Sequence, residues 1–428
     1  MNRSTLNRVI WRWHFWAGLI VSPILIIAST TGAIYIFKSE LEYLIAPQVF
    51  SAKSSEHNVS LSEQITAATS FVGDDWKPQS ININYLQPYS TNSVFFRRGD
   101  HEFKTVHVDA SDGTVTGEAQ RDGPLDIVLD IHRNLFIGTP GRIFMELTTG
   151  WTIVLLLTGL WLWWPKKWKK LRGVLIPRLD KTRYMALRDL HSISGAIMLP
   201  IAIIIAATGM LYTLVWGTTV LLAGVFSGAF DIEFAPPKST LPEADATHAV
   251  SITVDDIMDM AVKRGMPMGR ITIELPHDEE ASFAIKSGGA FGPLATSAMF
   301  VDQYSGEVVE FKTLTELPVL AQYTQWNYVL HVGSVLGMVS KIIWLIVCLS
   351  LIAMPVTGIW MWLVRRSRGT SGFPKKYDQP VPKWIFYFIV LLGLFLPVVG
   401  ISLLVICLVE WVSSWRKGRS VEAPVVPQ

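Results

Sequence analysis

The sequence predicts an α-helical membrane bundle made as a tandem repeat of two-helix units, with a mixed α/β domain outside the membrane in each unit. Three observations predict this class. Half of the 428 residues are apolar and only 17% are charged, well below the charged content of a typical soluble domain. Five apolar stretches are long enough to span a bilayer. Several residues recur at constant offsets between the two halves of the chain.

The five apolar segments each reach the length of about 20 residues that a membrane-spanning helix needs. They are Val9–Phe37, Phe144–Trp164, Leu190–Leu222, Val339–Val364 and Trp384–Trp411. The 17 tryptophans fit this class, because indole rings favour the membrane–water interface. The first segment is not a cleavable signal peptide, because it is too long, is rich in Trp and lacks a clear small-residue cleavage site.

Lysine and arginine indicate the orientation, because they concentrate in cytoplasmic loops. They cluster before the first segment (Arg3, Arg8, Arg12), after the second (Lys166, Lys167, Lys169, Lys170, Arg172, Arg178, Lys181, Arg183, Arg188) and after the fourth (Arg365, Arg366, Arg368, Lys375, Lys376). We predict that these three regions face the cytoplasm and that the two long connections lie on the opposite side.

The chain therefore divides into alternating membrane and extramembrane parts. The first repeat has an N-terminus and first membrane helix (1–37), an outer domain with the His132 segment (38–143), a second membrane helix (144–164) and a basic cytoplasmic loop (165–189). The second repeat has a third membrane helix (190–224), an outer domain with the His331 segment (225–338), a fourth membrane helix (339–364) and a cytoplasmic loop (365–383). A fifth apolar segment (384–412) and a tail (413–428) follow.

The fifth segment leaves two alternatives open. A single span would place the basic run Arg416–Arg419 outside, against the preference of Lys and Arg for the cytoplasm. A turn at Pro397 and Gly400 would return this run to the cytoplasmic side, although each half would be too short to span the bilayer alone.

Each outer domain is predicted to contain a helix followed by a sheet. The helices are Ser60–Val72 and Thr253–Arg264. Alternating or β-branched and aromatic residues predict strands near residues 81–85, 94–96, 104–108, 271–275, 282–285 and 298–302. Asp112-Gly113 and Ser305-Gly306 predict turns between strands.

The internal repeat is the strongest signal. Between the first and third membrane helices, His14, Gly18, Pro23, Thr31 and Gly32 match His191, Gly195, Pro200, Thr208 and Gly209 at an offset of 177. Between the second and fourth, His132, Gly138, Thr158, Gly159, Trp161 and Trp163 match His331, Gly337, Thr357, Gly358, Trp360 and Trp362 at an offset of 199. In the outer domains, Val108-Asp109 and Gly113 match Val301-Asp302 and Gly306 at an offset of 193. A parallel repeat of this kind predicts a pseudo-twofold axis along the membrane normal.

Four of the nine histidines form two equivalent pairs in these segments. His14 and His191 are placed near the cytoplasmic ends of their helices, and His132 and His331 on the outer side. Two imidazoles that meet across an axis can bind a haem iron axially, so we predict two haem sites. The alternative is that the histidines are interfacial or packing residues.

Neighbouring residues fit the haem interpretation. Gly18 and Gly195 follow their histidines by one helical turn and would leave room for a flat macrocycle. Arg142 and Lys341 occupy equivalent positions near the outer boundary and could pair with a haem propionate. Gly138 and Gly337 either leave room likewise or break the helix. We attribute the Thr-Gly pairs of all four matched helices to helix packing.

Other chemistries find little support. Cys348 and Cys407 lie in apolar runs, which excludes a disulfide framework, and no Cys-x-x-Cys-His motif attaches a haem covalently. Any haem would therefore be held without covalent attachment. No phosphate-binding loop, dinucleotide fingerprint or zinc-protease motif occurs. The net charge of +2 gives no sign of nucleic-acid binding.

These motifs together resemble the PepSY-associated transmembrane family over nearly the whole chain. The resemblance rests on Trp13–Leu19, Ile131–Leu135, Arg188–Ser192, His331–Ser334 and the repeated Thr-Gly-x-Trp-x-Trp. The family includes iron-regulated inner-membrane proteins and ferric-siderophore reductases of Gram-negative bacteria. Membership implies PepSY-like outer domains in the periplasm and a haem-bearing bundle that carries electrons towards them.

The resulting hypothesis is a transmembrane haem b oxidoreductase of the bacterial inner membrane. An unidentified cytoplasmic or membrane donor would supply an electron at the haem of His14 and His191. The electron would pass to the haem of His132 and His331 and reduce a periplasmic ferric chelate or siderophore, which releases ferrous iron. The main alternative is a non-enzymatic scaffold or regulator whose outer domains bind a peptide or protein partner. A transporter is a third alternative, favoured only by the repeat.

Overall fold

The structure is a computed structural model that describes residues 3–419 except 54–57, 88–89, 120–122, 166–171, 232–234, 242–251, 289–292, 294–295, 367–368 and 375–382. Parts of the two predicted cytoplasmic loops, including Lys166, Lys167, Lys169, Lys170, Arg368, Lys375 and Lys376, lie outside these residues. The chain forms two compact units. A helical unit comprises Met1–Ala33, Val128–Val220 and Trp344–Gln428, and a sheet unit comprises Ile34–Ile127 and Leu221–Ile343.

The first half of the chain contributes helices α1 (Arg3–Tyr35), α2 (Lys38–Ile45), α3 (Pro47–Phe50), α4 (Leu61–Val72), α5 (Pro124–Asn134) and α6 (Thr139–Trp163). The second half contributes α7 (Arg183–Gly209), α8 (Val215–Phe226), α9 (Val254–Lys263), α10 (Val319–His331), α11 (Met338–Arg365), α12 (Lys383–Phe395) and α13 (Pro397–Arg419). Within the described residues, four stretches are long and apolar enough to cross a membrane: Leu6–Tyr35, Thr139–Trp163, Arg183–Tyr212 and Met338–Arg365. Four of the five predicted segments are thus confirmed as long apolar helices.

Glycines with positive φ set the start of two of these helices. Gly138 is the N-cap of α6 with φ 65°, and the equivalent Gly337 precedes α11 with φ 58°. A Cβ atom at either position would meet nothing within 4 Å. Glycine adopts this left-handed backbone conformation without steric cost. Of the two roles that the sequence left open for Gly138 and Gly337, room for a cofactor or a break of the helix, the structure therefore shows the break.

The fifth apolar segment turns back on itself. Helices α12 and α13 are separated only by Leu396, and a Cβ atom built on Gly400 would lie 2.6 Å from the Cα of Gly393. Two backbones this close require glycine on both helices. The turn is anchored in the helical unit, because Val399 packs against Gly150 and the Trp151 indole donates a hydrogen bond to Ser402 Oγ at 3.1 Å. Of the two alternatives for the fifth segment, a single span or a turn near Pro397 and Gly400, the structure therefore has the turn.

The sheet unit contains one antiparallel sheet built from both halves of the chain. Its strands are β1 (Lys77–Asn84), β2 (Asn92–Arg98), β3 (Glu102–Val108), β4 (Val115–Glu118), β5 (Arg270–Glu274), β6 (Phe283–Gly288), β7 (Ser297–Val301) and β8 (Val308–Thr313). The strand order is β4-β3-β2-β1-β5-β6-β7-β8. The sequence suggests two separate outer domains, whereas antiparallel pairing of β1 with β5, such as Ile81 with Ile273, joins their strands.

One hydrophobic core lies between this sheet and helices α4 and α9. It contains fully buried residues of both halves, among them Ile81, Val94, Ile257 and Ile285. Both helices begin at the predicted positions with a capping box: Ser60 with Glu63 and Thr253 with Asp256. Each box satisfies amide groups that the first helical turn leaves without partners.

Equivalent aspartates organise the two β-turns. Asp109 and Asp302 are buried, and the backbone amides of Gly113 and Gly306 donate to their backbone carbonyl oxygens at 2.9 and 3.0 Å. Both glycines have φ near 74°, with 73° at Gly113 and 74° at Gly306. The repeated Val-Asp and Gly motif therefore encodes the same turn twice.

A buried histidine gives the sheet unit a predicted pH dependence. His107 accepts or donates a hydrogen bond at 3.0 Å with Thr91 Oγ1, and burial together with the charge of Lys38 lowers its pKa from 6.5 to about 4. The unfolded chain therefore binds a proton between about pH 6.5 and pH 4 that the folded unit excludes, so stability falls as the pH falls through this window. The loss reaches roughly 3 kcal/mol at pH 4 and is absent at pH 7.

We expect His107→Gln to flatten the pH dependence of unfolding between pH 7 and pH 4. The measurement is thermal or urea unfolding of the purified protein at a series of pH values. The control is His101→Gln at an exposed position. Equal slopes in the wild type and His107→Gln would contradict the prediction.

Candidate haem site

His14 of α1 and His191 of α7 meet in the helical unit. Their ring centres are 6.4 Å apart and their ring planes are nearly perpendicular, at 83°. Both side chains line a cavity of about 490 Å³, which falls in the usual range for small-molecule sites. The structure thus brings together two histidines that are 177 residues apart in the sequence, as the repeat offset implied.

Hydrogen bonds fix the proton on the Nδ1 atom of each ring. His191 Nδ1 lies 3.1 Å from the carbonyl oxygen of Met354, which can only accept. His14 Nδ1 lies 2.9 Å from Thr158 Oγ1, and this hydroxyl donates its own proton to the carbonyl oxygen of Val154 at 2.7 Å. Each Nδ1 is therefore a donor, so each Nε2 keeps a lone pair for a metal ion.

The two rings are close enough to be considered together as ligands, with centres 6.4 Å apart. A metal ion held by both would be bound through the Nε2 lone pairs that the Nδ1 hydrogen bonds leave available. Among the described residues no group of three or more His, Cys, Asp or Glu side chains could hold a metal ion.

The repeated Thr-Gly pairs hold the histidine rings. Thr158 Oγ1 accepts from His14, and a Cβ atom at Gly159 would lie 3.3 Å from His14 Cε1. The equivalent Thr357 Oγ1 is 3.0 Å from His191 Nδ1, with a Cβ at Gly358 3.5 Å from His191 Cε1. The threonine orients the imidazole and the glycine makes room for it. The explanation by helix packing alone was therefore incomplete.

The cavity wall is mostly apolar and aromatic. Gly18 and Gly195, which the sequence assigned to a macrocycle, both line it. Trp11, Phe15 and Trp362 line it as well, and the Trp362 ring stacks on Phe373 with ring centres 5.2 Å apart. An apolar wall with a few polar groups is typical of small-molecule sites.

His132 of α5 is held in the same manner in the helical unit. Its Nδ1 lies 3.0 Å from the carbonyl oxygen of Ala28 and 3.0 Å from Thr31 Oγ1, and a Cβ at Gly32 would lie 3.2 Å from its Cε1. Burial keeps the pKa of His132 below its usual value, so the imidazole is neutral, as a metal ligand must be. A third Thr-Gly pair thus serves a third repeated histidine.

Comparison with known proteins identifies the family. A family model described as the PepSY-associated TM region matches residues 11–365, a range that includes all four repeated histidines. The chain belongs to the PepSY-associated transmembrane family. A stretch of 101 residues is also 37% identical to an uncharacterized protein of Pseudomonas aeruginosa and covers 24% of this chain and 25% of that protein. The chain thus spans about a quarter of the length of the curated relative it matches.

The remaining predicted site residues of this PepSY-associated family member lie elsewhere. His331 is the last residue of α10 in the sheet unit. Lys341, predicted to face a propionate, donates to both carboxylate oxygens of Glu40 at 2.7 and 2.8 Å. Its charge is therefore already matched by a carboxylate within the same unit. Arg142 lies in the first turn of α6, where its backbone amide donates to the carbonyl oxygen of Gly138.

Two polar residues at the cavity were missed by the sequence analysis of this family member. Tyr184 and Arg188, both on α7, line the cavity that contains His14 and His191. Arg188 was assigned only to the basic cytoplasmic loop. The sequence could have indicated that Arg188 faces the cavity, because Arg188 precedes His191 by three residues and therefore lies on the same helical face.

Proposed function

We propose that this protein is a transmembrane haem b oxidoreductase that passes electrons across the bacterial inner membrane and reduces a periplasmic ferric chelate, such as a ferric siderophore. Each ferric ion would take up one electron and leave the chelate as ferrous iron. The observation that carries the proposal is the perpendicular pair of His14 and His191 at 6.4 Å, with both Nδ1 atoms acting as donors.

The second site is proposed at His132 and His331 on the basis of the repeat, in which they occupy equivalent positions. A haem bound at each site would supply a one-electron carrier. Helix α1 reaches both proposed sites, because it carries His14 of the first site and its Thr31 contacts His132 of the second. These residues are about 25 Å apart along the helix axis, close to the roughly 30 Å thickness of the hydrocarbon core. The two sites would therefore lie near opposite faces of the membrane.

The proposed topology places the basic loops in the cytoplasm and the sheet unit in the periplasm, where it would bind the ferric chelate. The turn between α12 and α13 supports this orientation. Because the two helices fold back at Leu396, the basic run Arg416–Arg419 returns to the side of Arg365 and Arg366. All of the basic clusters then lie on one side, as Lys and Arg in short loops prefer.

The test is an absorption spectrum of the detergent-purified protein, oxidised and dithionite-reduced, with haem counted per chain. We expect b-type bands at about two haems per chain, and pre-reduced protein should reoxidise when a ferric chelate is added. A protein that stays colourless after haem is supplied during expression would contradict the proposal. It would favour a scaffold whose PepSY-like sheet unit binds a peptide or protein partner.

The threonine partners of the histidines allow a milder test. Thr158→Val removes the acceptor of the His14 Nδ1 proton at nearly unchanged volume. We expect haem at this site to bind about 10-fold to 100-fold more weakly, the usual effect of losing such a partner. The measurement is haem titration of the depleted protein. Thr152→Val is the control, because Thr152 lines the cavity but donates only to the carbonyl oxygen of Thr148.

A further inference from the structure

The cavity at His14 and His191 is not chemically symmetric. Helix positions three residues before each histidine are equivalent in the repeat, and both side chains line the cavity. One is Trp11 and the other is Arg188. Among the lining residues that the structure describes, Arg188 is the one with a permanent charge, and none is Asp or Glu. One edge of the cavity is therefore cationic and the equivalent edge is aromatic.

The charge of Arg188 is not cancelled by its neighbour Asp189. Asp189 is completely buried, and Arg178 already binds both of its oxygens, with Nε at 2.7 Å from Oδ2 and Nη2 at 2.8 Å from Oδ1. Arg188 adds a single longer contact of 3.2 Å to Oδ1. Two guanidinium groups thus share one carboxylate, and the cluster keeps a net positive charge. About half of the Arg188 side chain remains exposed, at 49%.

The equivalent position on α1 is Trp11, which carries no charge. The guanidinium of Arg365 lies against the Trp11 ring, with Cζ 4.7 Å from the ring centre, but Arg365 is not among the described residues that line the cavity. A carboxylate placed in an apolar cavity is costly unless a cation or hydrogen-bond donor meets it. A flat ligand with an anionic edge would therefore bind in one orientation only.

We infer that Arg188 binds an acidic edge of the cavity ligand and fixes its orientation, with that edge towards α7 and the apolar edge towards Trp11. The inference rests on the proposed function, in which the ligand is haem and the acidic groups are its propionates. A guanidinium is suited to this role because it binds a carboxylate with two parallel hydrogen bonds.

The test measures how fast haem leaves the purified full-length protein when an excess of a haem acceptor is added. It compares haem b with its dimethyl ester, in which both propionates are neutral. Two phases of loss are expected, one for each site. In the wild type, the ester should leave one site about 10-fold faster than haem b, because a charge-assisted hydrogen bond is lost.

Arg188→Gln should accelerate the loss of haem b in that one phase by about 10-fold and leave the ester rate unchanged. Arg188→Lys should lie between the two, because an ammonium is a point charge without the paired geometry. The matched control is Arg183→Gln on the same helix. Arg183 stacks on Trp360 at 4.9 Å and is not among the lining residues, so its loss should change neither rate.

Unchanged haem loss in Arg188→Gln, with a normal spectrum at two haems per chain, would overturn the inference and leave the proposed function standing. If Arg188→Gln fails to fold, the wild type alone still tests the inference. Equal loss rates of haem b and its ester from the wild type would overturn it. A wild type that binds no haem would instead refute the proposed function itself.

Discussion

Replacing His14 or His191 with Ala is expected to reduce the haem content from about two to about one per chain and to abolish ferric chelate reduction across the membrane. Each ring keeps one Nε2 lone pair that could bind a metal ion, and among the described residues no other His or Cys lines this cavity. Loss of a threonine partner alone should cost 10-fold to 100-fold in affinity, so loss of the ligand itself should cost more than about 100-fold. Haem counting and the reduced spectrum measure the effect.

The two variants should behave alike, because the rings occupy equivalent positions around one site. His277→Ala is the control, since this side chain is 61% exposed in the sheet unit. The variants should still insert into the membrane, because both helices keep their apolar length. Full haem content in either variant would refute the pairing of His14 with His191.

The second large effect is expected at Asp189. Its carboxylate is completely buried and accepts three hydrogen bonds from Arg178, two from the guanidinium and one from the backbone amide at 3.1 Å. Asp189→Ala would leave two guanidinium groups next to each other without a carboxylate. Arg178 and Arg188 are 25% and 49% exposed, so water would solvate part of their charge, and we expect a cost of about 1–3 kcal/mol for the lost acceptor. We expect a clear decrease in the thermal stability of the detergent-purified protein.

The matched comparison is Asp180→Ala on the loop before α7. Asp180 pairs with Arg172, but both side chains are at least half exposed, at 50% and 64%. An exposed pair of this kind contributes about 0–1 kcal/mol. Asp189→Asn should fall between the two alanine variants, because the amide oxygen can still accept. Similar unfolding temperatures for Asp189→Ala and Asp180→Ala would show that burial of the ion pair is not important for stability.

Features encoded by nearby residues could be predicted from the sequence. The four long helices follow from apolar length, and the caps of α4 and α9 follow from Ser60 and Thr253 with an acidic residue three positions later. The repeat placed His14 and His191 at equal depth and made their pairing a hypothesis, which required the structure to show that the two rings meet. None of these steps required knowledge of which helices are neighbours.

Features that depend on distant neighbours could not be predicted. Thr158 could be assigned to His14 only once α1 and α6 were known to lie side by side. Lys341 binds Glu40, which is 301 positions away, and no local pattern in the sequence links these two residues. The pairing of β1 with β5 was missed because alternation identifies a strand but not the strand beside it.

The join between β1 and β5 bears on how such a protein could have arisen. A half-length ancestor with one helix pair and four strands would have left β1 as an open edge, and two identical edges can pair antiparallel in a closed, self-complementary dimer. In such a homodimer every position is duplicated, so a residue that favours one side of the shared cavity must appear on both sides. Fusion of the two copies removes this restriction. Trp11 and Arg188 occupy equivalent positions and differ in chemistry, as the fusion of two copies would permit.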